Sequence, residues 1–191
     1  MTQTDQLKWD QRYRLNEEPP VAARVLTENL HLLPAQGTAL DFACGLGGNA
    51  LLLAREGLET LAWDISPVAI VKLQQTADDQ QLPVTAEVRD VMKHPLPEQH
   101  FDVIVVSYFL ERSLAPALQK ALKPNGLLFY QTFNQTRLTG RGPQNPDYRL
   151  AENELPALFA GLKIRYYRED GLTGELTSGL RDESLLVAQN C

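Results

Sequence analysis

A short apolar run that leads directly into a glycine-rich turn and then into a helix sets the strongest constraint on how this chain folds. Residues 38–43 are the apolar run, residues 44–48 contain three glycines, and residues 49–56 have helical spacing before Gly57. A buried strand, a tight turn and a helix in this order are typical of the start of a βαβ unit. Glycine permits backbone conformations that other residues avoid and lets a ligand approach the main chain closely.

The alternation of strands and helices continues along the chain. The sequence predicts strands at 58–63, 84–89, 101–107 and 126–133, and helices at 67–79 and 114–122, followed by a polar loop to Arg149, a helix near 152–160 and strands at 163–169 and 184–189. Strands that are apolar throughout indicate a mostly parallel sheet covered on both faces. We therefore expect an α/β fold, a doubly wound seven-stranded Rossmann-like sheet with helices on both faces and an antiparallel last strand.

Charge and hydropathy exclude several classes of protein. Eighteen basic and 24 acidic side chains give a net charge of −6, which disfavours nucleic acid as a partner because phosphate neutralisation supplies most non-specific affinity. The polar N-terminus does not resemble a signal peptide, and the apolar stretch at 103–110 is far too short for a bilayer. Cys44 and Cys191 predict no disulfide framework. We expect a cytoplasmic protein without membrane association, a monomer or weak homodimer.

Acidic residues stand at the ends of three successive predicted strands. Asp41 lies four residues before Gly45, Asp64 lies nineteen residues after it, and Asp90 follows the third strand. In open α/β sheets, ligands bind outside the carboxyl ends of the strands, where the strand order reverses. Asp64 is placed to accept hydrogen bonds from ribose hydroxyls, and Asp90 to accept one from an adenine amino group. As a single residue, Asp90 is more typical of a plain turn than of a ligand site.

Asp41 narrows the kind of ligand. An unpaired buried carboxylate is costly, so it usually has a cationic or hydrogen-bonding partner. A pyrophosphate would be repelled by it, whereas an ammonium group would be favoured. The alternative is that Asp41 caps the turn by accepting backbone N–H groups.

Together these motifs resemble class I S-adenosylmethionine-dependent methyltransferases. The resemblance covers residues 40–133 and rests on Leu40-Asp41-x-x-Cys44-Gly45-x-Gly47, Asp64-Ile65-Ser66-Pro67-x-Ala69-Ile70, Asp90, Phe101-Asp102-Val103-Ile104 and Leu122-Lys123-Pro124-Asn125-Gly126-Leu127-Leu128. Asn125 stands where the family usually has a second glycine, and asparagine tolerates the left-handed backbone. The resemblance implies S-adenosylmethionine as cofactor, held by Asp41, Ala43, Gly45, Gly47, Asn49, Asp64, Ile65, Asp90, Val91 and Ser107.

The N-terminal segment is similar to that of the tellurite-resistance (TehB-like) branch. Trp9-Asp10-Gln11-Arg12-Tyr13 carries this similarity, with Trp9 and Tyr13 on one helix face. It implies either a lid over cofactor and substrate or an apolar contact that fastens the helix to the body. We expect one methyltransferase domain over 1–191, with a helical lid at 1–33, a cofactor-binding core at 38–134, and an acceptor loop and C-terminal hairpin at 135–191.

The acceptor site is expected on loops. Residues 107–112 lack the Asn/Asp-Pro-Pro-Tyr signature that acts on nucleic acid bases, so a small-molecule acceptor is expected, such as a thiol or a chalcogen oxyanion. Arginines at 137, 141 and 149 suggest an anionic acceptor or are simply solvated. We take Trp9, Arg12, Arg137 and Arg141 as candidate substrate-binding residues, and Tyr13, Tyr108 and Glu111 as candidate catalytic residues.

Two other functions stay open on the sequence alone. Gly45-x-Gly47-x-x-Ala50 also fits an NAD-dependent oxidoreductase, although Asp41 and Asp90 argue against one. A module that binds S-adenosylmethionine without turnover is the second alternative. Cys44 is interpreted as a small residue in a tight turn rather than a nucleophile. The three histidines show no ligand spacing, so no metal site is expected.

Overall fold

Seven strands form one continuous sheet in the computed structural model, which describes residues 3–191. In chain order they are β1 (Gly37–Phe42), β2 (Leu58–Asp64), β3 (Val84–Val88), β4 (Phe101–Ser107), β5 (Leu122–Phe133), β6 (Lys163–Arg168) and β7 (Glu183–Gln189). Their order across the sheet is β3-β2-β1-β4-β5-β7-β6, and β7 runs antiparallel to both of its neighbours. The predicted α/β class, the seven strands and the antiparallel last strand are confirmed.

Six helices connect or flank these strands. They are α1 (Gln3–Arg14), α2 (Arg24–Thr27), α3 (Gly48–Arg55), α4 (Pro67–Asp79), α5 (Ala115–Ala121) and α6 (Glu154–Leu158). The helix α4 begins as the sequence predicts, because the Ser66 hydroxyl accepts from the Ala69 N–H at 3.2 Å and Pro67 takes the first helical position. Among residues 3–191, every helix falls short of the length and apolar character that crossing a bilayer requires.

The central strands are apolar on both faces because helices cover the sheet on each side. In β4, Val103 and Val105 pack in one buried cluster and Ile104 and Val106 in another. A parallel strand in the middle of a covered sheet has no solvent-facing side, so it reads as a continuous apolar run. This explains why the 101–107 prediction agrees with the structure at both ends.

Several predicted boundaries shift for identifiable reasons. Of the helical segment predicted at 1–33, the part after Pro20 forms only the one-turn helix α2, and the Asn29 amide donates to the Val25 carbonyl at 2.9 Å where it ends. The strand β5 begins at Leu122 rather than Gly126, because Leu122 pairs with Phe101 before the register shifts. Asn125 takes the left-handed conformation at φ 66° within that irregularity, as its place in the motif predicted.

The topology brings one set of strand ends together. The chain moves from β1 outward to β2 and β3, and then returns to the other side of β1 with β4 and β5. The sheet therefore reverses its order between β1 and β4, and the carboxyl ends of these strands meet at one edge. The glycine turn and the ends of β2, β3 and β4 all lie at this edge.

Candidate active site

The Asp64 carboxylate fastens the glycine turn to the end of β2. Its Oδ2 atom accepts from the Gly45 N–H at 2.8 Å and its Oδ1 atom accepts from the Ser66 N–H at 2.9 Å. The turn needs glycine at Gly45 and Gly47, whose φ angles are 54° and 78°, and Ala43 before them is also left-handed at 57°. Asp64 is 6% exposed. Burial raises its pKa, and this effect exceeds the lowering by the backbone N–H groups that donate to it.

Asp41 lies fully buried beneath the same turn. Its Oδ2 atom accepts from the Ala50 N–H at 3.0 Å, which satisfies one donor in the first turn of α3, and its Oδ1 atom accepts from the Asn49 amide at 3.2 Å. Burial, with Asp64 a lesser contributor, raises the pKa of Asp41 to about 7. Within the chain, Asp41 therefore makes the contacts that the capping alternative predicts, and Asp64 is near enough to contribute to its raised pKa.

Two buried amide side chains hold residues 23–25 across the carboxyl edge. The Asn49 Oδ1 atom accepts from the Ala23 N–H at 2.7 Å while its Nδ2 atom donates to Asp41 and, at 2.9 Å, to the Ser107 hydroxyl. The Gln131 Oε1 atom accepts from the Val25 N–H at 2.8 Å. The segment before α2 is therefore part of the wall of the site, and its position is tied to the ends of β1, β4 and β5.

The N-terminal helix covers the glycine turn. A Cβ atom added at Gly45 would lie 2.8 Å from the Tyr13 hydroxyl oxygen, so the Tyr13 side chain sits directly over this residue. Burial and the neighbouring Asp64 raise the pKa of Tyr13 well above its usual range, so it stays a neutral phenol. Trp9 stacks on Tyr13 with ring centroids 5.6 Å apart. The Arg12 guanidinium lies 5.4 Å from the Trp9 ring centroid.

Polar contacts anchor this helix to α4. The Asp10 carboxylate accepts from the Ser66 hydroxyl, and the Lys72 ammonium donates to the carbonyls of Tyr13 and Asn16 at 2.8 and 3.0 Å. The helix has no buried residue of its own. These polar contacts and the Tyr13 side chain over Gly45 hold the helix on the body. Its role as a lid stays a prediction.

The predicted adenine side of the site is less enclosed. Asp90 accepts from the Met92 N–H at 3.1 Å and pairs with Lys93 at 3.2 Å, which are the contacts of a turn residue. Val91 is buried and Ile65 half-buried. The assignment of these three residues to an adenine ring stays a prediction that the fold permits, since they follow β3 and β2 at the carboxyl edge.

A second polar cluster lies at the ends of β4 and β5. The Gln131 Nε2 atom donates to the Tyr108 hydroxyl oxygen at 2.9 Å and to the Glu183 carboxylate at 2.5 Å. Tyr108 takes the left-handed conformation at φ 55° and is 45% exposed. This conformation costs a non-glycine residue about 1–2 kcal/mol, and such strain is concentrated at functional sites.

The loop arginines divide into three different roles. Arg149 is fully buried, and its guanidinium donates to the carbonyls of Asn134, Pro143 and Arg141, so it holds the loop together from inside. Arg141 is exposed but pairs with Glu183 at 3.2 Å. Arg137 donates to the Gln144 side chain at 2.7 Å on the surface.

The predicted catalytic residue Glu111 lies apart from this cluster. Its carboxylate accepts from the N–H and the hydroxyl of Ser113, at 3.2 and 2.7 Å, and so caps a short 3₁₀ turn. Its catalytic role stays a prediction that these contacts do not favour.

Sequence reasoning overlooked Gln131 and Glu183. Both are polar side chains inside otherwise apolar strands, each 4% exposed or less. A buried polar residue in a strand is the same feature that singled out Asp41. Gln131 and Glu183 come together because β7 runs antiparallel to β5, so that the amino end of β7 lies beside the carboxyl end of β5.

The chain is similar in sequence to known proteins. Residues 39–126 match the methyltransferase domain family model. The chain is 29% identical to hemagglutinin 1 of Eikenella corrodens over 68% of its length and 45% of that protein, and 25% identical to a probable S-adenosyl-L-methionine-dependent methyltransferase TehB of Haemophilus influenzae over 72% of its length and 49% of that protein. It thus spans about half the length of these curated relatives.

Structural similarity agrees with the sequence matches. The crystal structure of TehB from Haemophilus influenzae superposes with a TM-score of 0.73 at 21% identity, covering 96% of this chain and 67% of that one. Together these matches confirm the predicted resemblance to TehB-like S-adenosylmethionine-dependent methyltransferases, and the superposition by itself establishes the shared fold.

Asp41 makes the stability of the fold depend on pH in a defined direction. Because its pKa rises from 3.8 to about 7 on folding, its stabilising contribution is complete below pH 3.8 and is lost as the pH rises toward 7. At about 1.4 kcal/mol per unit, the loss is about 4 kcal/mol. We expect Asp41→Asn to lack this slope in urea unfolding between pH 4 and 7. An unchanged slope, with the exposed Asp79→Asn as control, would contradict the assignment.

Asn49→Ala should release the segment that precedes α2. The substitution removes the acceptor of the buried Ala23 N–H, which costs about 1–3 kcal/mol. We expect amide exchange at Ala23 to accelerate at least about tenfold while the strands of the core keep their protection. Thr27→Ala, on the exposed side of α2, is the matched control. Unchanged exchange at Ala23 would show that Asn49 does not hold this segment.

Proposed function

We propose that this chain, whose residues 39–126 match the methyltransferase domain family model, binds S-adenosylmethionine and transfers its methyl group to a small-molecule acceptor, a thiol or a chalcogen oxyanion. One observation carries the proposal. Asp41 and Asp64 are both buried next to the glycine turn, and among residues 3–191 they accept hydrogen bonds from amide and backbone N–H groups rather than from a cationic side chain.

The donor set fits this cofactor. Burial raises the pKa of both carboxylates, so a cationic ligand would stabilise their ionised forms. S-adenosylmethionine carries both an ammonium and a sulfonium group. A pyrophosphate in the same turn would add negative charge to a site that already has two buried acids, which argues against a dinucleotide. The name of the TehB relative from Haemophilus influenzae supports the same cofactor.

Different residues would contact different parts of the cofactor. Asp64 and the turn at Gly45 and Gly47 would hold the ribose and let the ligand approach the backbone. The carboxylate of Asp41, with Asn49 and Ser107, would face the amino acid end. Tyr13 and Trp9 would cover the bound molecule from α1, and Ile65, Asp90 and Val91 would border the adenine.

The cofactor supplies an electrophilic methyl group when bound, so the chain itself needs to align an acceptor and exclude water. We place the acceptor on the surface formed by Tyr108, Phe133 and Arg141, beside Ser107 at the carboxyl edge, and call it the acceptor surface. It offers two aromatic rings and one exposed arginine, which suits a small molecule. The net charge of −6 and the absence of a base-modifying signature favour this over a nucleic acid. We infer a cytoplasmic location on the same composition.

Titration calorimetry with S-adenosylhomocysteine and with NAD tests this proposal. We expect the wild-type chain to bind S-adenosylhomocysteine and not NAD. Asp64→Asn should weaken that binding about 10- to 100-fold, because a charged hydrogen-bond acceptor is lost, while the far-ultraviolet circular dichroism stays unchanged. Asp79→Asn, an exposed acid at the end of α4, should bind like the wild type. Binding of NAD, or normal affinity in Asp64→Asn, would contradict the proposed site.

A further inference from the structure

The buried carboxylate of Glu183 lies beside the proposed acceptor surface. Glu183 begins β7, and its side chain is 5% exposed. Its Oε2 atom accepts from the Gln131 amide at 2.5 Å and from the Tyr108 hydroxyl at 3.3 Å, and its Oε1 atom lies 3.2 Å from the Arg141 guanidinium. Glu183 and Gln131 belong neither to the glycine turn nor to the cofactor contacts proposed above.

Tyr108 connects this carboxylate to the exposed acceptor surface. Its side chain is partly exposed, its ring centroid lies 5.1 Å from that of Phe133, and its hydroxyl donates to Glu183. A molecule resting against the Tyr108 and Phe133 rings would lie close to the Tyr108 hydroxyl.

The hydrogen-bond directions in this cluster are fixed. Because Gln131 accepts from the Val25 N–H with its oxygen, its amide nitrogen must donate to Tyr108 and Glu183. The Tyr108 hydroxyl then donates to Glu183, and one lone pair on its oxygen is left to accept a proton. Burial, followed by the nearby Glu183, raises the pKa of Tyr108, so the phenol passes a proton on rather than losing its own.

We propose that Tyr108 and Glu183 form a proton-accepting pair, and that the methyl acceptor is a small protic nucleophile, a thiol, rather than a chalcogen oxyanion. This inference rests on the proposed function and narrows its acceptor. An oxyanion attacks through an existing lone pair and needs no base. Arg141 would be the partner for an anion at the acceptor surface, but it is already paired with Glu183. The Phe133 and Tyr108 rings favour sulfur over oxygen, because sulfur is polarisable and makes favourable contacts with aromatic rings.

The reaction balances with this pair. The lone pair of the acceptor sulfur forms the new bond to the methyl carbon, and the electron pair of the broken carbon–sulfur bond remains on the departing thioether. The thiol proton moves to the Tyr108 oxygen as the Tyr108 proton moves to Glu183. The sulfonium charge and the carboxylate charge are both neutralised, and Glu183 later returns its proton to water.

Other charged groups around Glu183 are accounted for. From the 134–149 loop, Arg141 faces it directly and Arg149 lies on the Phe133 ring, 5.6 Å from the centroid. Tyr108, the residue after β4, also faces it. The adjacent Asp182 accepts from Leu138 and Thr139, and Glu169 accepts from the Ser184 hydroxyl, so both acids are engaged elsewhere.

Turnover with defined acceptors tests the pair. The probes are 2-mercaptoethanol as a thiol, phenol as a hydroxyl and sodium selenite as a chalcogen oxyanion. We expect the wild type to methylate 2-mercaptoethanol, and Glu183→Gln and Tyr108→Phe to lower kcat about 100-fold or more at neutral pH. Glu183→Asp should restore part of the rate. In Glu183→Gln, the residual rate should rise with pH as free thiolate accumulates, and affinity for S-adenosylhomocysteine by calorimetry should stay within about twofold.

Each outcome decides the inference. Glu169→Gln changes a half-buried acid directly after the neighbouring strand β6; it is the matched control and should keep full turnover. The inference is overturned if the wild type binds S-adenosylhomocysteine but methylates selenite alone, phenol alone or none of the three probes, or if Glu183→Gln retains thiol turnover. Should Glu183→Gln fail to fold, Tyr108→Phe alone decides the question. Loss of S-adenosylhomocysteine binding in the wild type would instead refute the proposed function.

Discussion

The hydrogen bonds from Gly45 and Ser66 to the Asp64 carboxylate are the interaction on which the rest of this site depends. They join the turn after β1 to the end of β2 and so fix the shape of the ligand-binding edge. The same contacts place a carboxylate where it is difficult to hydrate. With Asp41 beneath the turn, the chain carries two buried acids whose pKa values are both raised by burial. Two buried acids at one site favour the binding of a positively charged ligand.

The two halves of the edge are linked through the segment before α2. Asn49 connects Ala23 to Asp41 and Ser107, whereas Gln131 connects Val25 to Tyr108 and Glu183. One short stretch of backbone is therefore bonded to both the proposed cofactor side and the proposed acceptor side. This arrangement explains why amides, which both donate and accept, occupy two buried positions among apolar strands.

Much of the fold was predictable from the sequence because its signals are local. The apolar run in β4, the Ser66-Pro67 start of α4 and the left-handed Asn125 each depend on neighbouring residues only. The acids Asp41 and Asp64 were also recognisable, since a charge in or after an apolar strand is unusual. Glu183 was not recognised, because its partners come from residues 52 and 75 positions away. The division of the loop arginines was equally unpredictable, because burial of Arg149 beneath its own loop depends on tertiary packing.

The central claim is that the two buried acids bind a cationic ligand. The most direct test is calorimetric titration of S-adenosylmethionine at pH 7 in buffers of different ionisation enthalpy. Near its pKa of about 7, Asp41 is partly protonated before binding, and a cationic ligand should drive it to the ionised form. We predict binding that releases a proton fraction in the wild type and none in Asp41→Asn. Binding heats that do not change with the buffer, or no binding at all, would contradict this account of the site.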